Sequence, residues 1–523
     1  MTTNGYGLRR KDSDGVTLTS SPPQMEPLSS SSSHDSREIP DIIPPESPSR
    51  SRTLVLCFDG TGDQFDSDNS NIVELFTTLK KDDRDQQMCY YQAGIGTYTN
   101  PEIATPLMAK VSKTLDEAIA WNLNAHVMDG YEFLMQNYKA GDRISIFGFS
   151  RGAYTARALA GMIHKVGLLP ACNHQQIPFA YKMFTSVDET GWKQSNIFKK
   201  AFSVDVKIDF IGVWDTVNSV GLISRRLPFT TSNTIVRAFR HAVALDERRA
   251  KFKANLWNRP TKKEQSLDAV PPPEQVKKHP KPHPTKKHTL KAMEKKYSQE
   301  QDKPTDIEEV WFAGCHCDVG GGSVDNGTPH TLARIPLRWM IRECFKAETG
   351  IMFHADGLRN LGIDPVNLYP IVQQRPDRLA ANGAFIQHIP PKTKVPKPVA
   401  TDENLHVNTN GGAGEVTFMS EEEHERLDAL SPIYDQLELA WFWWLLEYFP
   451  MKQSHQRDDN TWKKEYSFNR GQGRHVPKQK KGIVKIHRSV QTRMEAMYES
   501  GKVYESKASF ADALKLGNVM WID

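Results

Sequence analysis

The feature that most constrains this chain is the pentapeptide Gly148-Phe149-Ser150-Arg151-Gly152, which stands between a strand-like run and a helix-like run. Residues 143–147, with two isoleucines and a phenylalanine, predict a buried strand, and residues 153–166 predict a compact apolar helix. A sharp strand-to-helix turn crowds the backbone around its central residue, and glycine lacks the Cβ that would collide there. The pattern therefore predicts a nucleophile elbow, which is typical of serine hydrolases.

The same turn predicts a site for stabilising an oxyanion. A helix that begins directly after the serine points its first backbone amides at the place where negative charge would develop. The amide of Arg151 is the predicted first donor. A surface loop that carries G-x-S-x-G by chance is the alternative, and the flanking strand and helix disfavour it.

Strand-like and helix-like runs alternate along most of the chain, which predicts an α/β fold of the α/β-hydrolase type with a mostly parallel central sheet flanked by helices. Strands are predicted at 53–58 and near 88–91, and a long helix is predicted over 115–138. In open sheets of this kind the chemistry collects beyond the carboxyl ends of the strands.

Two further strand ends carry residues that could activate Ser150. The run 206–214 ends in Asp215, and the run 309–315 ends in His316. A serine hydroxyl needs an imidazole to accept its proton, and the imidazole needs a carboxylate to orient it. His316 is the predicted base and Asp215 the predicted orienting acid, in the chain order of an α/β hydrolase.

Four other residues compete for these two roles. His241 lies in a predicted helix-like segment, residues 237–252, where a packed or surface histidine is ordinary, and His487 is a weaker candidate. Asp209 falls inside its strand rather than at its end, and Asp318 is expected to shape the glycine turn that follows it.

Composition fits one elaborated catalytic domain over residues 52–523. The chain has 523 residues, of which 38% are hydrophobic, enough for one large core. Its 67 basic and 63 acidic residues are too balanced to predict a nucleic-acid partner. Six cysteines without framework spacing predict a reducing, cytoplasmic location. Neither a signal peptide nor a membrane-spanning helix is predicted.

One segment of polar, low-complexity composition precedes that domain, and a second interrupts it. Residues 1–51 are rich in serine and proline and predict a disordered tail, and residues 259–305 predict an exposed basic insertion. The insertion is expected to be a solvated loop, with contact to anionic membrane head groups as the alternative. Its three histidines, His279, His283 and His288, are irregularly spaced and predict no metal site.

A third unusual stretch, residues 437–449, is hereafter called the aromatic segment. It crowds ten apolar or aromatic side chains around two glutamates. It is too short and too charged to span a bilayer. A buried core helix is the favoured prediction, and a membrane interface or an acyl pocket is the alternative.

Five motifs occur in order between residues 53 and 446 and carry a family resemblance. They are Phe58-Asp59-Gly60-Thr61-Gly62, Tyr91-Gln92-Ala93-Gly94-Ile95-Gly96-Thr97, Gly148-Phe149-Ser150-Arg151-Gly152-Ala153-Tyr154, Gly212-Val213-Trp214-Asp215-Thr216-Val217 and Gly314-Cys315-His316-Cys317-Asp318-Val319-Gly320-Gly321-Gly322. The chain resembles the catalytic-domain family of type VI secretion phospholipase effectors, formerly a domain of unknown function, and is most similar to its fungal members.

That resemblance implies an α/β-hydrolase core that cleaves acyl esters of glycerophospholipids through Ser150, Asp215 and His316, without a cofactor. It also implies that a backbone amide of Gly60 or Thr61 is the second oxyanion donor. The membrane-engaging modules of the bacterial effectors have no counterpart that we identify in this sequence, and the basic insertion is not part of the shared pattern. The resemblance therefore specifies the type of reaction more closely than the substrate.

Three alternatives to this interpretation are less consistent with the sequence. An aspartyl phosphatase needs a nucleophilic carboxylate two residues before Asp59, where this chain has Cys57. A metal site built on Cys315, His316, Cys317 and Asp318 lacks the usual zinc spacing. An inactive hydrolase fold that serves as a binding or scaffolding module is the remaining alternative, and the three residues at strand ends argue against it.

Overall fold

The computed structural model describes most of the chain beyond its N-terminal tail. The described residues are 39–47, 50–61, 63–94, 108–217, 227–257, 290, 293–294, 304–389, 405–406, 417–456, 462–477, 483–510 and 519–523. The predictions for residues 1–38, and for nearly all of the basic insertion with its three histidines, lie outside this part.

The longest strands belong to the central sheet, and β12 and β13 form a separate hairpin of six-residue strands. In chain order they are β1 (Ile42–Ile43), β2 (Thr53–Phe58), β3 (Gln87–Gln92), β4 (Arg143–Phe149), β5 (Ile208–Trp214), β6 (Val236–Ala244), β7 (Asp306–Phe312), β8 (Phe353–His354), β9 (Phe385–Ile386), β10 (Leu405–His406), β11 (Thr417–Phe418), β12 (Met451–Gln456), β13 (Trp462–Ser467), β14 (His475–Val476), β15 (Val484–His487), β16 (Met497–Tyr498), β17 (Ser509–Phe510) and β18 (Val519–Ile522).

The described helices lie mainly between the first strands of that sheet and among the short strands of the later part of the chain. They are α1 (Asn71–Thr78), α2 (Met108–Asn137), α3 (Ser150–Val166), α4 (Ile177–Thr185), α5 (Glu189–Phe202), α6 (His316–Gly320), α7 (Arg334–Lys346), α8 (Ala355–Asn360), α9 (Glu421–Ala429), α10 (Gln436–Leu439), α11 (Trp443–Glu447) and α12 (Ser489–Glu495). Among the helices described, none combines the length and the apolar character needed to cross a bilayer.

Eight strands form one sheet in the order β18-β15-β7-β6-β5-β4-β2-β3. Every pairing between neighbours in it is parallel. Parallel strands require crossover connections, and α1, α2 and α3 to α5 lie in the connections between β2, β3, β4 and β5. The predicted α/β class with a mostly parallel sheet flanked by helices is confirmed.

Alternation along β2 shows why the sheet is buried on both faces. Leu54 and Leu56 belong to the core that packs under α2 and α3, whereas Val55 and Cys57 belong to the core on the opposite face, with α1 and α7. Successive side chains of a strand point to opposite faces, so an uninterrupted apolar run is what a doubly covered strand needs. The core is therefore two layers divided by the sheet.

The strand order reverses at β2, and this reversal locates the site. From β2 the chain first adds β3 on one side and then returns to place β4 on the other side. Loops that leave neighbouring strands in opposite directions open a crevice between them at the carboxyl edge. The loop after β2 and the elbow after β4 both begin at this crevice.

The structure differs from the sequence predictions at three places. Residues 237–252 were expected to be helix-like, but His241 lies within strand β6 between β5 and β7. The tail was expected to be disordered through residue 51, but Ile43 is buried and pairs through β1 with β8. At the end of the basic insertion, Met293 is also buried and packs with Trp192 and Phe229. Ordered structure therefore begins before residue 51.

The aromatic segment is not core, which corrects the favoured prediction. It forms the two short helices α10 and α11 rather than one, and only Leu437 and Glu447 within it are buried. Six of its large apolar side chains are exposed, namely Leu439, Trp441, Phe442, Leu445, Tyr448 and Phe449. The membrane-interface alternative is examined below.

Buried ion pairs join the later helices to each other. Arg338 of α7 lies 2.5 Å from Asp428 of α9, and Arg342 lies 2.7 Å from Glu421, with all four residues buried. Burial by itself would raise the pKa of Asp428, but the neighbouring Arg338 outweighs it and the pKa falls below its usual range. The pairing between α7 and α9 therefore rests on compensated charge.

Replacing Arg338→Leu should lower the free energy of unfolding by about 3–5 kcal/mol, because it leaves the Asp428 carboxylate buried without its guanidinium. Denaturant titration measures this loss. Arg359→Leu is the matched control: its partner Asp356 lies 2.6 Å away, both side chains are largely solvated, and the expected change is below about 1 kcal/mol. Equal losses in the two variants would contradict the role of the buried pair.

Candidate active site

The turn from β4 into α3 has the geometry of a strained elbow. Ser150, the first residue of α3, has φ 57°, in the left-handed region that side chains other than glycine rarely adopt. A Cβ at Gly148 would lie 2.5 Å from the carbonyl oxygen of Gly152, and one at Gly152 would lie 2.3 Å from the carbonyl oxygens of Phe58 and Asp59. Both glycines are therefore required sterically, as predicted.

The structure brings Ser150, His316 and Asp215 together in one hydrogen-bonded chain. His316 Nε2 lies 2.8 Å from Ser150 Oγ, and His316 Nδ1 lies 2.5 Å from Asp215 Oδ2. All three residues are buried. They come from the carboxyl ends of β4, β5 and β7, so the parallel sheet positions all three.

The chemistry of the partners determines how the protons are arranged. An ionised carboxylate can only accept hydrogen bonds, so the imidazole Nδ1 donates to Asp215. In the neutral imidazole Nε2 is then the acceptor, and it faces the hydroxyl of Ser150. The arrangement is one in which the serine proton can move to His316.

Asp215 is held ionised by a residue that sequence reasoning missed. Arg474 donates from Nη1 to Oδ1 at 2.5 Å and from Nη2 to Oδ2 at 2.9 Å, and the amide of Ala244 donates to Oδ1 at 3.0 Å. Burial would raise the pKa of Asp215, but Arg474 and His316 together hold that pKa well below its usual range. The residues around Arg474 form no motif that predicts this role, because Arg474 and Asp215 are far apart in sequence and meet only in the folded chain.

His316 is enclosed by two aromatic rings. The ring of Phe149 lies 4.8 Å from the imidazole, and the ring of Phe252 lies 4.9 Å from it in an edge arrangement. Burial lowers the pKa of His316, and the hydrogen bond to Asp215 opposes that shift. The imidazole is therefore neutral at rest, which is the state a general base needs.

The oxyanion prediction needs one correction. The amide of Gly60 donates to Asp59 Oδ1 at 2.8 Å, so it is already engaged. Asp59 is itself held by Ser70 Oγ and by the hydroxyl of Tyr91, at 2.6 and 2.8 Å. The amides of Thr61 and Arg151 stay the predicted donors.

A second carboxyl lies beside this loop. The Asp63 side chain lies so close to Gly60 that a Cβ there would be 2.0 Å from its Oδ2. Burial, together with the charge of Asp59, raises the pKa of Asp63 to about 8. At neutral pH this carboxyl is therefore largely protonated, which limits negative charge near the elbow.

The competing candidates are engaged elsewhere. His241 accepts from the amide of Thr216 at 3.1 Å and contacts Glu309 at 3.0 Å, and Asp209 pairs with Arg237. Asp318 accepts from the backbone amides of Cys315 and Tyr434. Nδ1 of His487 lies 2.9 Å from the hydroxyl of Ser489. None of these contacts involves Ser150.

The described residues disfavour a cysteine nucleophile and a metal site. All six cysteines are free thiols, and burial raises the pKa of Cys57, Cys315 and Cys317. One cluster in the described part could hold a metal, formed by Glu425, His487 and Asp523. Arg375 and Arg488 already pair with that glutamate, at 2.6 and 2.9 Å, so a cation would compete with two guanidinium groups.

Comparison with known proteins identifies a family. The family model described as the type VI secretion system phospholipase effector Tle1-like catalytic domain matches residues 52–343, more than half of the chain. The uncharacterized protein YEL023C of Saccharomyces cerevisiae is 27% identical over 561 residues, covering 87% of this chain and 80% of the yeast protein.

Two solved structures are also similar. An uncharacterized protein from Pseudomonas aeruginosa has a TM-score of 0.31 at 16% identity, covering 58% of this chain and 46% of the other. The Tle1 effector bound to the VgrG spike of the type VI secretion system has a TM-score of 0.25 at 15% identity, covering 53% and 52%. The chain thus spans about half the length of these two proteins.

The Arg474→Met substitution should lower the free energy of unfolding at neutral pH by about 3–5 kcal/mol, because Asp215 would stay buried with its main cation removed. Folding depresses the pKa of Asp215, so the stabilisation is present above the ordinary aspartate pKa of about 4 and is lost on acidification. The difference between variant and parent should therefore shrink in acid.

The matched control is Arg474→Met combined with Asp215→Asn, which removes both charges and should recover part of the loss. Urea titration at several pH values compares the three proteins. A single variant as stable as the parent at neutral pH would show that Arg474 does not stabilise the charged carboxylate.

Proposed function

The chain belongs to the type VI secretion system Tle1-like phospholipase effector catalytic-domain family, and from this premise we propose that it is a serine hydrolase that cleaves carboxylic acyl esters of phospholipids. Family membership supports a phospholipase-like hydrolase in general. The observation that carries the finer proposal is the unbroken hydrogen-bonded chain from Ser150 Oγ through His316 to Asp215.

In the proposed first half-reaction, Ser150 Oγ attacks the ester carbonyl carbon while His316 Nε2 accepts the hydroxyl proton. Asp215 keeps the imidazole in the required tautomer and stabilises its charged form. The developing oxyanion is assigned to the backbone amides of Arg151 and Thr61. His316 then returns its proton to the departing alcohol as the carbon–oxygen bond breaks, which leaves the acyl group on Ser150.

In the second half-reaction water replaces the alcohol. His316 takes a proton from the water, the hydroxide adds to the acyl carbon, and Ser150 leaves with that proton as the fatty acid is released. Atoms and charges balance without a metal or a cofactor. Arg474 acts as a positioning residue here, since it touches Asp215 and not the reacting atoms.

The assignment of a phospholipid substrate rests on the family rather than on a described pocket. A cytoplasmic location and peripheral contact with anionic membrane belong to the same proposal. The VgrG spike is the partner of the Tle1 effector in its own structure.

Ser150→Ala should abolish turnover of phospholipid and of short p-nitrophenyl esters, because no other described hydroxyl faces His316 Nε2. Released fatty acid and chromophore report the activity. Ser145→Ala, which removes a buried hydroxyl from the same strand, is the matched control and should leave turnover intact. Turnover by the Ser150 variant equal to that of the parent would refute the proposal, and turnover of neither ester by the parent would favour the inactive scaffold.

Asp215→Asn should lower kcat by roughly 10⁴-fold if the site behaves as the serine-protease triad does, because an amide can hold the imidazole in the wrong tautomer. Steady-state kinetics on a soluble ester measures the change. Asp209→Asn, at the opposite end of the same strand and paired with Arg237, is the control and should change kcat little. Equal kcat for Asp215→Asn and parent would remove the orienting role from Asp215.

A further inference from the structure

The aromatic segment presents an apolar surface that the proposed reaction does not itself require. Trp441 is 77% exposed, and Tyr448 and Phe449 are each 61% exposed. Tyr466 near the end of β13 and Phe468 directly after that strand are also exposed. Soluble proteins rarely expose contiguous apolar groups of this size, and such patches mark interaction surfaces.

The backbone that carries these exposed side chains is fixed by hydrogen bonds to buried groups. The carboxylate of Glu447 is buried and accepts from the amides of Ala250 and Gly471, at 2.6 and 2.9 Å. The indole Nε1 of Trp444 donates to the carbonyl oxygen of Leu437 at 2.8 Å. These bonds tie both short helices down while their outer side chains point to solvent.

The surface is continuous with the candidate active site. The ring of Trp443 packs edge-on against Phe252 at 5.6 Å, and Phe252 packs against the imidazole of His316 at 4.9 Å. Arg249 stacks on both rings, 3.6 Å from the centre of Phe252 and 4.8 Å from that of Trp443. The aromatic segment therefore begins one ring away from the base.

One exposed cationic group, the guanidinium of Arg470, borders the aromatic side chains. The exposed Arg470 carries its guanidinium 5.6 Å from the ring of Phe468, and its amide donates to the carbonyl oxygen of Glu447 at 3.2 Å. Trp, Tyr and Phe beside arginine suit the boundary between lipid head groups and acyl chains, where aromatic rings insert and cations meet phosphate.

We infer that the aromatic segment, with Tyr466, Phe468 and Arg470, docks this protein onto the surface of a glycerophospholipid bilayer. The inference rests on the proposed function, because docking serves hydrolysis only if a bilayer bound there presents acyl esters next to His316. A protein partner or a second copy bound to the same face would bring no acyl ester next to the imidazole. The lipid surface is therefore the occupant that the site favours.

The test measures binding to vesicles by flotation, using Ser150→Ala protein throughout so that hydrolysis plays no part. The probes are vesicles of phosphatidylcholine, alone and mixed with phosphatidylserine. The substitutions Trp441→Ser and Phe449→Ser, made together, should weaken binding by roughly 10- to 100-fold through lost apolar burial. Ile197→Ser with Phe202→Ser is the matched control on α5, where both side chains are similarly exposed, and should bind like the parent.

Each outcome decides the inference. Loss of binding in the aromatic pair alone supports it, and stronger binding with phosphatidylserine supports the role of Arg470. A parent that does not bind either vesicle overturns it, as does an aromatic pair that binds like the parent. Self-association of the parent that the aromatic pair abolishes, seen by light scattering without vesicle binding, would assign the face to a second copy.

The failure of docking is separable from the failure of the proposed hydrolase. Turnover of a soluble short ester, measured with Ser150 present, reports the chemistry alone and should be the same in the parent and the aromatic pair. Vesicle binding that is lost in the aromatic pair, together with no serine-dependent turnover, would keep the docking surface and reject the hydrolase. Serine-dependent turnover without vesicle binding would do the reverse.

Discussion

The buried carboxylate of Asp215 is the constraint on which the site depends. A charge with no exposed surface is costly unless it is paired and hydrogen-bonded, and here His316, Arg474 and the amide of Ala244 meet that need. These donors come from three separate parts of the chain. One carboxylate therefore links the orientation of the imidazole to the docking of the C-terminal chain around residue 474 over the sheet edge.

The parallel sheet explains why these groups meet at all. All parallel strands end at the same edge, and the reversal of strand order at β2 opens a crevice there. The elbow stores strain in the positive φ of Ser150, and two glycines without Cβ atoms make that conformation possible. Strain of this kind persists only where the surrounding structure enforces it, which is common at functional sites.

Sequence patterns were least informative where one pattern had two physical meanings. An apolar run containing His241 reads equally as a helix face or as a buried strand, and neighbouring strands decided for the strand. The aromatic segment reads as core by composition, yet no element in the described part of the chain covers its outer side chains. Gly60 was one of two candidates for the second oxyanion donor, but its amide donates to the side chain of Asp59.

The amino-acid sequence alone determined the elbow, the strands that end in Asp215 and His316, their chain order and the α/β class. These features depend on local backbone preferences and on apolar periodicity, which neighbours in sequence specify. Only the tertiary structure decided that Arg474 neutralises Asp215, that the amide of Gly60 is engaged and that the aromatic segment faces solvent. The physical reason is that charge pairing, hydrogen-bond competition and exposure arise between groups far apart in the chain, where no local pattern records them.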